Sequence, residues 1–293
     1  MISLALPSCW VFFGENMDRE FFRSRNITVA LITIPICLLT LGYVYFQYMN
    51  MPTQGLDTIR VIDAPAGAPV LNILFVGNSA MMVNDMPGVL ANIAATDKAA
   101  PVSIHIGRFM KVATLMDGHW ARRSKKNPFL SGRWDYVVLQ ESGSALLSPK
   151  QVQKSGTAMI QWVGAAQKAG AAPILFQGWV PKPGSQLSLQ EYQGRYNSAE
   201  QMQDQVDRII KGLGEQTGAM VAPVGDYWMA CMSQPGAPNL YWSDDAHPGP
   251  AGTYLAALVF YRRLTGHGLE HVTYVPPNLS QKDAAFILRC ASY

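Results

Sequence analysis

Residues 72–82 read Asn-Ile-Leu-Phe-Val-Gly-Asn-Ser-Ala-Met-Met. The apolar run inside Leu71–Val76 lacks period-2 alternation, which is how a strand covered on both faces reads. Gly77 lets the backbone turn sharply where that strand ends. Ser79 then falls at a helix start, where its own N–H points outward. Four further apolar runs read as strands: Val102–Ile106, Tyr136–Leu139, Pro173–Phe176 and Ala219–Val224. Helical patterns lie between and beyond them, over Asp85–Ala95, Lys150–Lys168, Leu189–Glu215 and Gly249–Leu264. Alternating strands and helices predict a parallel sheet with helices on both faces and right-handed crossovers. Ligands in such sheets sit beyond the carboxyl ends of the strands. Ser79, Gln140 with Glu141, and Gln177–Trp179 all follow a strand end.

The chain has 293 residues, 49% of them hydrophobic, and a net charge of +3. That composition supports a sizeable core, and no basic block points to nucleic acid. Ile27–Tyr48 carries no charged residue and ends in a cluster of Tyr43, Tyr45, Phe46 and Tyr48. A run of about 20 apolar residues is long enough to cross a bilayer as a helix, with aromatics at the interface. Arg19, Arg23 and Arg25 precede it, and no Lys or Arg follows until Arg60. The expected division is a cytoplasmic tail (1–26), a transmembrane signal anchor (27–48), a Pro- and Gly-rich linker (49–69) and a folded domain (70–293). That places the domain outside the inner membrane, in the periplasm or beyond. Met17 as the start would shorten the tail without changing the topology. Cys9 and Cys37 fall in the tail and the span; Cys231 and Cys290 fall in the domain, where a disulfide is permitted but not required.

A second stretch bears on Ser79. Residues 241–249 read Tyr-Trp-Ser-Asp-Asp-Ala-His-Pro-Gly. An acid three residues before a histidine can accept the Nδ1 proton and leave Nε2 free to take a proton from a serine. Asp244 has that offset from His247, with Asp245 a neighbouring acid that can be solvated. Taken alone, Ser79 reads more readily as an N-cap serine. It is not in a Gly-x-Ser-x-Gly elbow, because Met81 holds the last position.

These words together resemble the SGNH (GDSL-type) hydrolase superfamily. Val76-Gly77-Asn78-Ser79 with Asn84-Asp85-Met86-Pro87 is similar to its first block, and Ser243–Pro248 to its last. A subgroup with Gly-Asn-Ser in place of Gly-Asp-Ser is a nearer match, through Trp134–Ser142 with its Leu-Gln-Glu, Gly252–Ala257 and Ala222–Gly225. The likeness spans residues 70–265 or so. It implies a three-layer α/β/α, flavodoxin-like fold around a five-stranded parallel sheet, here with one N-terminal transmembrane helix. It implies Ser79 as nucleophile, His247 as base, Asp244 as orienting acid, and no cofactor or metal. The oxyanion donors it implies are the Ser79 N–H, a second-block glycine and a third-block asparagine. Val112 stands where relatives carry the glycine, and Gln140 is the side-chain amide closest to the asparagine's place.

Asn78, Glu141, Trp179 and Trp242 are the expected substrate contacts, the two tryptophans as walls or sugar platforms. Trp162 lies on a helix face and is expected in the core. Arg122, Arg123, Lys125 and Lys126 read as a solvated basic face. His267–His271 matches His-x-x-Glu-His, but Gly266 and Gly268 break the helix that such a zinc word needs. The expected activity is an esterase removing O-acetyl groups from envelope or exported polysaccharide. An acyltransferase of the same fold and a weakly active accessory protein of the polysaccharide-synthesis machinery are the alternatives.

Overall fold

The computed structural model describes residues 58–182, 184–185 and 195–292. The expected tail and membrane span, and the start of the linker, lie outside them. Among the described residues no helix is long and apolar enough to cross a membrane.

Five strands form one parallel sheet in the order β2-β1-β3-β4-β5. They are β1 (Val70–Gly77), β2 (Ser103–Met110), β3 (Tyr136–Gln140), β4 (Ala172–Phe176) and β5 (Met220–Ala222). Eight helices accompany the sheet among the described residues: α1 (Ser79–Met82), α2 (Met86–Thr96), α3 (Met116–Arg123), α4 (Pro149–Lys168), α5 (Ala199–Thr217), α6 (Val224–Met232), α7 (Pro250–Thr265) and α8 (Gln281–Ala291). Successive strand residues point to opposite faces, so β1 feeds two cores. Ile73 and Phe75 pack with α2, α6, α7 and α8; Leu74 and Val76 pack with α3, α4 and α5. Trp162 is fully buried in the second core.

β1, β3 and β4 match the apolar runs to within a residue or two. β2 runs on to Met110, through residues that alternate in exposure along the sheet edge. β5 stops at Ala222 because Pro223 follows, and Val224 already belongs to α6. The largely polar α3 and the mixed α8 were not among the helices expected from the sequence. In α5 the helix begins at Ala199, where Ser198 accepts the Gln201 N–H as a cap.

The linker is not detached over its described part. The Ile59 N–H donates to Asp85 Oδ2 at 2.8 Å, and the Ile62 N–H to Asn92 Oδ1 at 2.7 Å. The chain is therefore fastened to α2 several residues before β1 begins. Cys231 and Cys290 form a disulfide that joins α6 to α8. Residues 266–271 are not helical, so His267 and His271 lack the shared helical face of a zinc word.

Candidate active site

β1 delivers Ser79 to the carboxyl edge of the sheet. Gly77 leaves room there for the ends of two neighbouring side chains. A Cβ on it would sit 2.5 Å from both Gln140 Oε1 and Met81 Cε. Asn78 caps the four-residue α1, its Oδ1 accepting the Ala80 N–H at 3.1 Å. Its Nδ2 donates to Thr114 O at 3.4 Å. Asn78 is therefore a strut between the nucleophile turn and the loop after β2, and not the substrate contact expected of it. The Ser79 N–H has no hydrogen-bond partner among the described residues.

His247 reaches Ser79 from the loop before α7. Its Nε2 lies 2.8 Å from Ser79 Oγ, and its Nδ1 lies 2.5 Å from Asp244 Oδ2. Asp244 also accepts the backbone N–H groups of Ala246 (3.1 Å) and His247 (2.9 Å). Burial pushes the Asp244 carboxyl up, but the bonds from His247 and these amides outweigh it and hold it below the usual value. Asp245 turns away: its Oδ1 lies 3.3 Å from Lys182 Nζ, both side chains about 40% exposed. Of the two acids, Asp244 faces the histidine.

The sequence expectations for the rest of the site divide. Gln140 is buried beneath the turn, where its Oε1 accepts the Asn78 N–H at 2.9 Å. That bond fixes the amide's orientation and leaves Nε2 without a partner among the described residues. Val112 lies in the loop 111–115, which runs beside the turn: the Lys111 N–H donates to Gly77 O at 3.0 Å. The N–H groups of Val112 and Ala113 have no partner among the described residues. Ala113 holds a left-handed φ of +50°.

Two expected substrate contacts are instead internal. Glu141 is 1% exposed. Its carboxylate accepts Met116 N–H at 2.9 Å, Ser142 N–H at 2.7 Å and the Ser155 hydroxyl at 2.5 Å. Burial raises its pKa, with these three bonds acting against the shift. Trp179 stacks on Trp228 with centroids 4.1 Å apart and planes 9° off parallel. Its Nε1 donates to Ala246 O at 2.9 Å, so it props the histidine loop from below. Trp242 keeps partial exposure, and its N–H donates to His247 O at 2.8 Å.

Three supporting residues escape a sequence reading. Asn84, left-handed at φ +57°, donates from Nδ2 to Pro248 O (3.0 Å) and Thr253 Oγ1 (3.2 Å). It ties the nucleophile segment to the histidine loop across 164 residues of chain. Gln203 donates to Gly178 O and accepts the Val180 N–H, and Tyr241 Oη donates to Val180 O at 2.9 Å. For Asn84 the signal is its place in the first-block stretch Asn84–Pro87; for Gln203 and Tyr241 it is a polar group in an otherwise apolar setting. Gln177 is fully buried and joins β4 to α6, accepting the Gly225 N–H at 2.9 Å; it does not face the site.

No protein-family model matches the chain, and no curated protein is significantly similar to it in sequence. Solved structures do resemble it. A protein from Slackia heliotrinireducens assigned to the SGNH hydrolases is 25% identical over 66% of this chain and 98% of its own, with a TM-score of 0.54. A DUF4886 family protein from Bacteroides uniformis superposes at a TM-score of 0.63, 12% identical, over 76% of this chain and 93% of its own. A catalytic mutant of an acetylxylan esterase from Geobacillus stearothermophilus has a TM-score of 0.54 at 13% identity, covering 73% of this chain and all of its own. The last two likenesses speak to the fold alone. The first of these matches, together with the parallel sheet, supports the SGNH (GDSL-type) hydrolase superfamily for this chain.

Proposed function

We propose that this protein is a serine hydrolase of ester bonds, anchored in the inner membrane by residues 27–48, that removes O-acetyl groups from envelope or exported polysaccharide. The observation that carries the hydrolytic reading is the Ser79–His247–Asp244 chain of contacts at 2.8 and 2.5 Å. Asp244 keeps the imidazole proton on Nδ1, so Nε2 accepts the Ser79 proton as Oγ attacks the ester carbonyl. The protonated His247 then gives that proton to the leaving alcohol. Water, deprotonated by His247, releases acetate from Ser79 and restores the enzyme.

The negative charge that forms on the carbonyl oxygen needs donors already in place. The unpartnered Ser79 N–H is the first. Gln140 Nε2 and the N–H groups of Val112 and Ala113, on either side of the turn, are the others we assign. Backbone donors require no particular side chain, so valine in place of glycine does not remove one.

The disulfide supports an oxidising compartment, in keeping with a domain outside the cytoplasm. Trp242, partly exposed beside His247, is the aromatic left to receive a sugar face. The test uses the full-length chain in detergent with 4-nitrophenyl acetate and with O-acetylated polysaccharide. Ser79→Ala abolishes acetate release from both. Retained release by that variant overturns the assignment of the nucleophile. Acetyl transfer to added sugar in preference to water would replace hydrolysis with transfer.

A further inference from the structure

Glu141 presents a problem that the hydrolytic reading leaves unsolved. It is a carboxylate, 1% exposed, and none of the salt bridges among the described residues involves it. A buried charge without a cation is held at a penalty, and an apolar or neutral side chain is usually the more stabilising choice. What it receives instead is three hydrogen bonds, one of them from the first N–H of α3 at Met116, where the helix dipole favours an anion.

Those bonds lie on both sides of the nucleophile. β3 neighbours β1, and Val76 pairs with Leu139, so Glu141 follows β3 level with the Ser79 turn. Through Ser142 N–H it closes the loop that leaves β3. Through Met116 N–H it closes the far end of loop 111–115. That loop has two other ties: Lys111 N–H to Gly77 O at 3.0 Å, and Thr114 O to Asn78 Nδ2 at 3.4 Å. Between them Ala113 sits at φ +50°, a conformation that an L-residue with a Cβ does not adopt unless its surroundings impose it. The Glu141 bond is the tie at the far end of the loop, two residues beyond Thr114, and at 2.9 Å it is the shortest of the three.

We propose that Glu141 is a positioning residue, whose carboxylate clamps the strained loop 111–115 so that the Val112–Ala113 amides face the oxyanion formed at Ser79. This rests on the reading of Ser79 as nucleophile. Glu141 touches neither substrate nor the triad; it acts through the loop. Gln140, one residue earlier, sets the nucleophile turn through Asn78 N–H in the same manner. The Gln-Glu pair ending β3 thus fixes both sides of the oxyanion site from underneath.

The test is Glu141→Gln in the full-length chain, with Ser155→Ala as a milder variant that removes one of the three donors. Losing a single oxyanion donor lowers kcat about 100- to 1,000-fold. A loop displaced but still present should lose less, so the expected fall in kcat on 4-nitrophenyl acetate is about 10- to 100-fold. KM should stay within about threefold, because the ground-state ester does not depend on these donors. Labelling of Ser79 by a fluorophosphonate slows in parallel. The His247 Nδ1 proton resonance followed by NMR, which reports the bond to Asp244, is retained as in the wild type, since the triad is untouched. Ser155→Ala gives a smaller loss of the same kind. A folded Glu141→Gln with kcat within twofold of wild type overturns the proposal, as does a loss confined to KM or the disappearance of the His247 Nδ1 proton resonance. If Glu141→Gln does not fold, Ser155→Ala decides by the same readings. Ser79→Ala serves as the control. An active Ser79→Ala defeats the nucleophile assignment itself, whereas an inactive Ser79→Ala beside an unimpaired Glu141→Gln defeats only the clamp.

Discussion

Replacing Asp244 by asparagine separates the role of this acid from that of its neighbour. Asp244 accepts three hydrogen bonds: His247 Nδ1 at 2.5 Å, His247 N at 2.9 Å and Ala246 N at 3.1 Å. Both backbone bonds go to Oδ1, so the asparagine oxygen can keep them and the loop stays in place. Its amide nitrogen then faces His247 Nδ1 as a donor. The neutral imidazole must accept there, which moves its proton to Nε2. A proton on Nε2 points at Ser79 Oγ, 2.8 Å away, and the base can no longer take one. The equivalent change in serine proteases lowers kcat by about 10,000-fold, or about 5.4 kcal/mol at 1.36 kcal/mol per decade. We expect a loss of about 1,000- to 10,000-fold for Asp244→Asn, with Tm within a few degrees of wild type. Asp245→Asn is the matched comparison. It removes only a half-exposed ion pair with Lys182, of a kind that contributes less than about 1 kcal/mol, and asparagine accepts the +58° φ at that position. Its kcat should stay within about threefold of wild type, since the pair lies outside the proton path. Hydrolysis of 4-nitrophenyl acetate and a thermal melt measure both. Asp244→Asn retaining a tenth or more of the activity, or Asp245→Asn losing as much as Asp244→Asn, refutes the proton path described.

Three further outcomes follow from the packing and the charges. A Cβ at Gly143 would stand 2.1 Å from Trp179 O, so Gly143→Ala forces apart the loops after β3 and β4; we expect a loss of about 2–3 kcal/mol, read as a lower Tm. Cys231 and Cys290 are 59 residues apart, and opening a loop of that size removes about 4 kcal/mol on the chain-entropy account; the double Cys→Ala variant should melt well below wild type, with the difference absent once the wild type is reduced. Burial, and then its hydrogen bond with Asp226, raises Asp207 from 3.8 to about 6. The folded state therefore binds more protons than the unfolded one across that window, and this group's contribution to stability is lost as pH rises through it. Asp207→Asn should gain in Tm relative to wild type between pH 4 and pH 7, and a constant difference would contradict the shifted titration.

The middle of the sheet was legible because β1, β3 and β4 are largely buried on both faces and read as mostly apolar runs, closed by Gly77, Gln140 and Gln177. The triad was legible because an Asp-x-x-His spacing places both groups within one loop, and Gly77 marks the turn that carries Ser79. What escaped are contacts made by long-range tertiary geometry. Glu141 and Trp179 stand at strand ends where site residues belong, yet each side chain turns inward, one to the first N–H of α3 and the other to the Trp228 ring. Sequence position fixes the edge of the sheet on which a residue lies, but not the face that its rotamer chooses. Asn84 and Gln203 escaped for the same reason: their partners lie 164 and 25 residues away. The left-handed Ala113 carries no sequence signal at all, since alanine is not a residue that marks such a conformation.

The central claim is that Ser79 attacks an acyl carbon with His247 as its base. Intact-mass and peptide mass spectrometry after treatment with a fluorophosphonate test it most directly. The account predicts one phosphonyl group per chain, located on Ser79, absent from Ser79→Ala and formed at least 100-fold more slowly in His247→Ala, in line with the loss of a general base. A wild-type chain that stays unlabelled while hydrolysing ester, or a label on another serine, would contradict it.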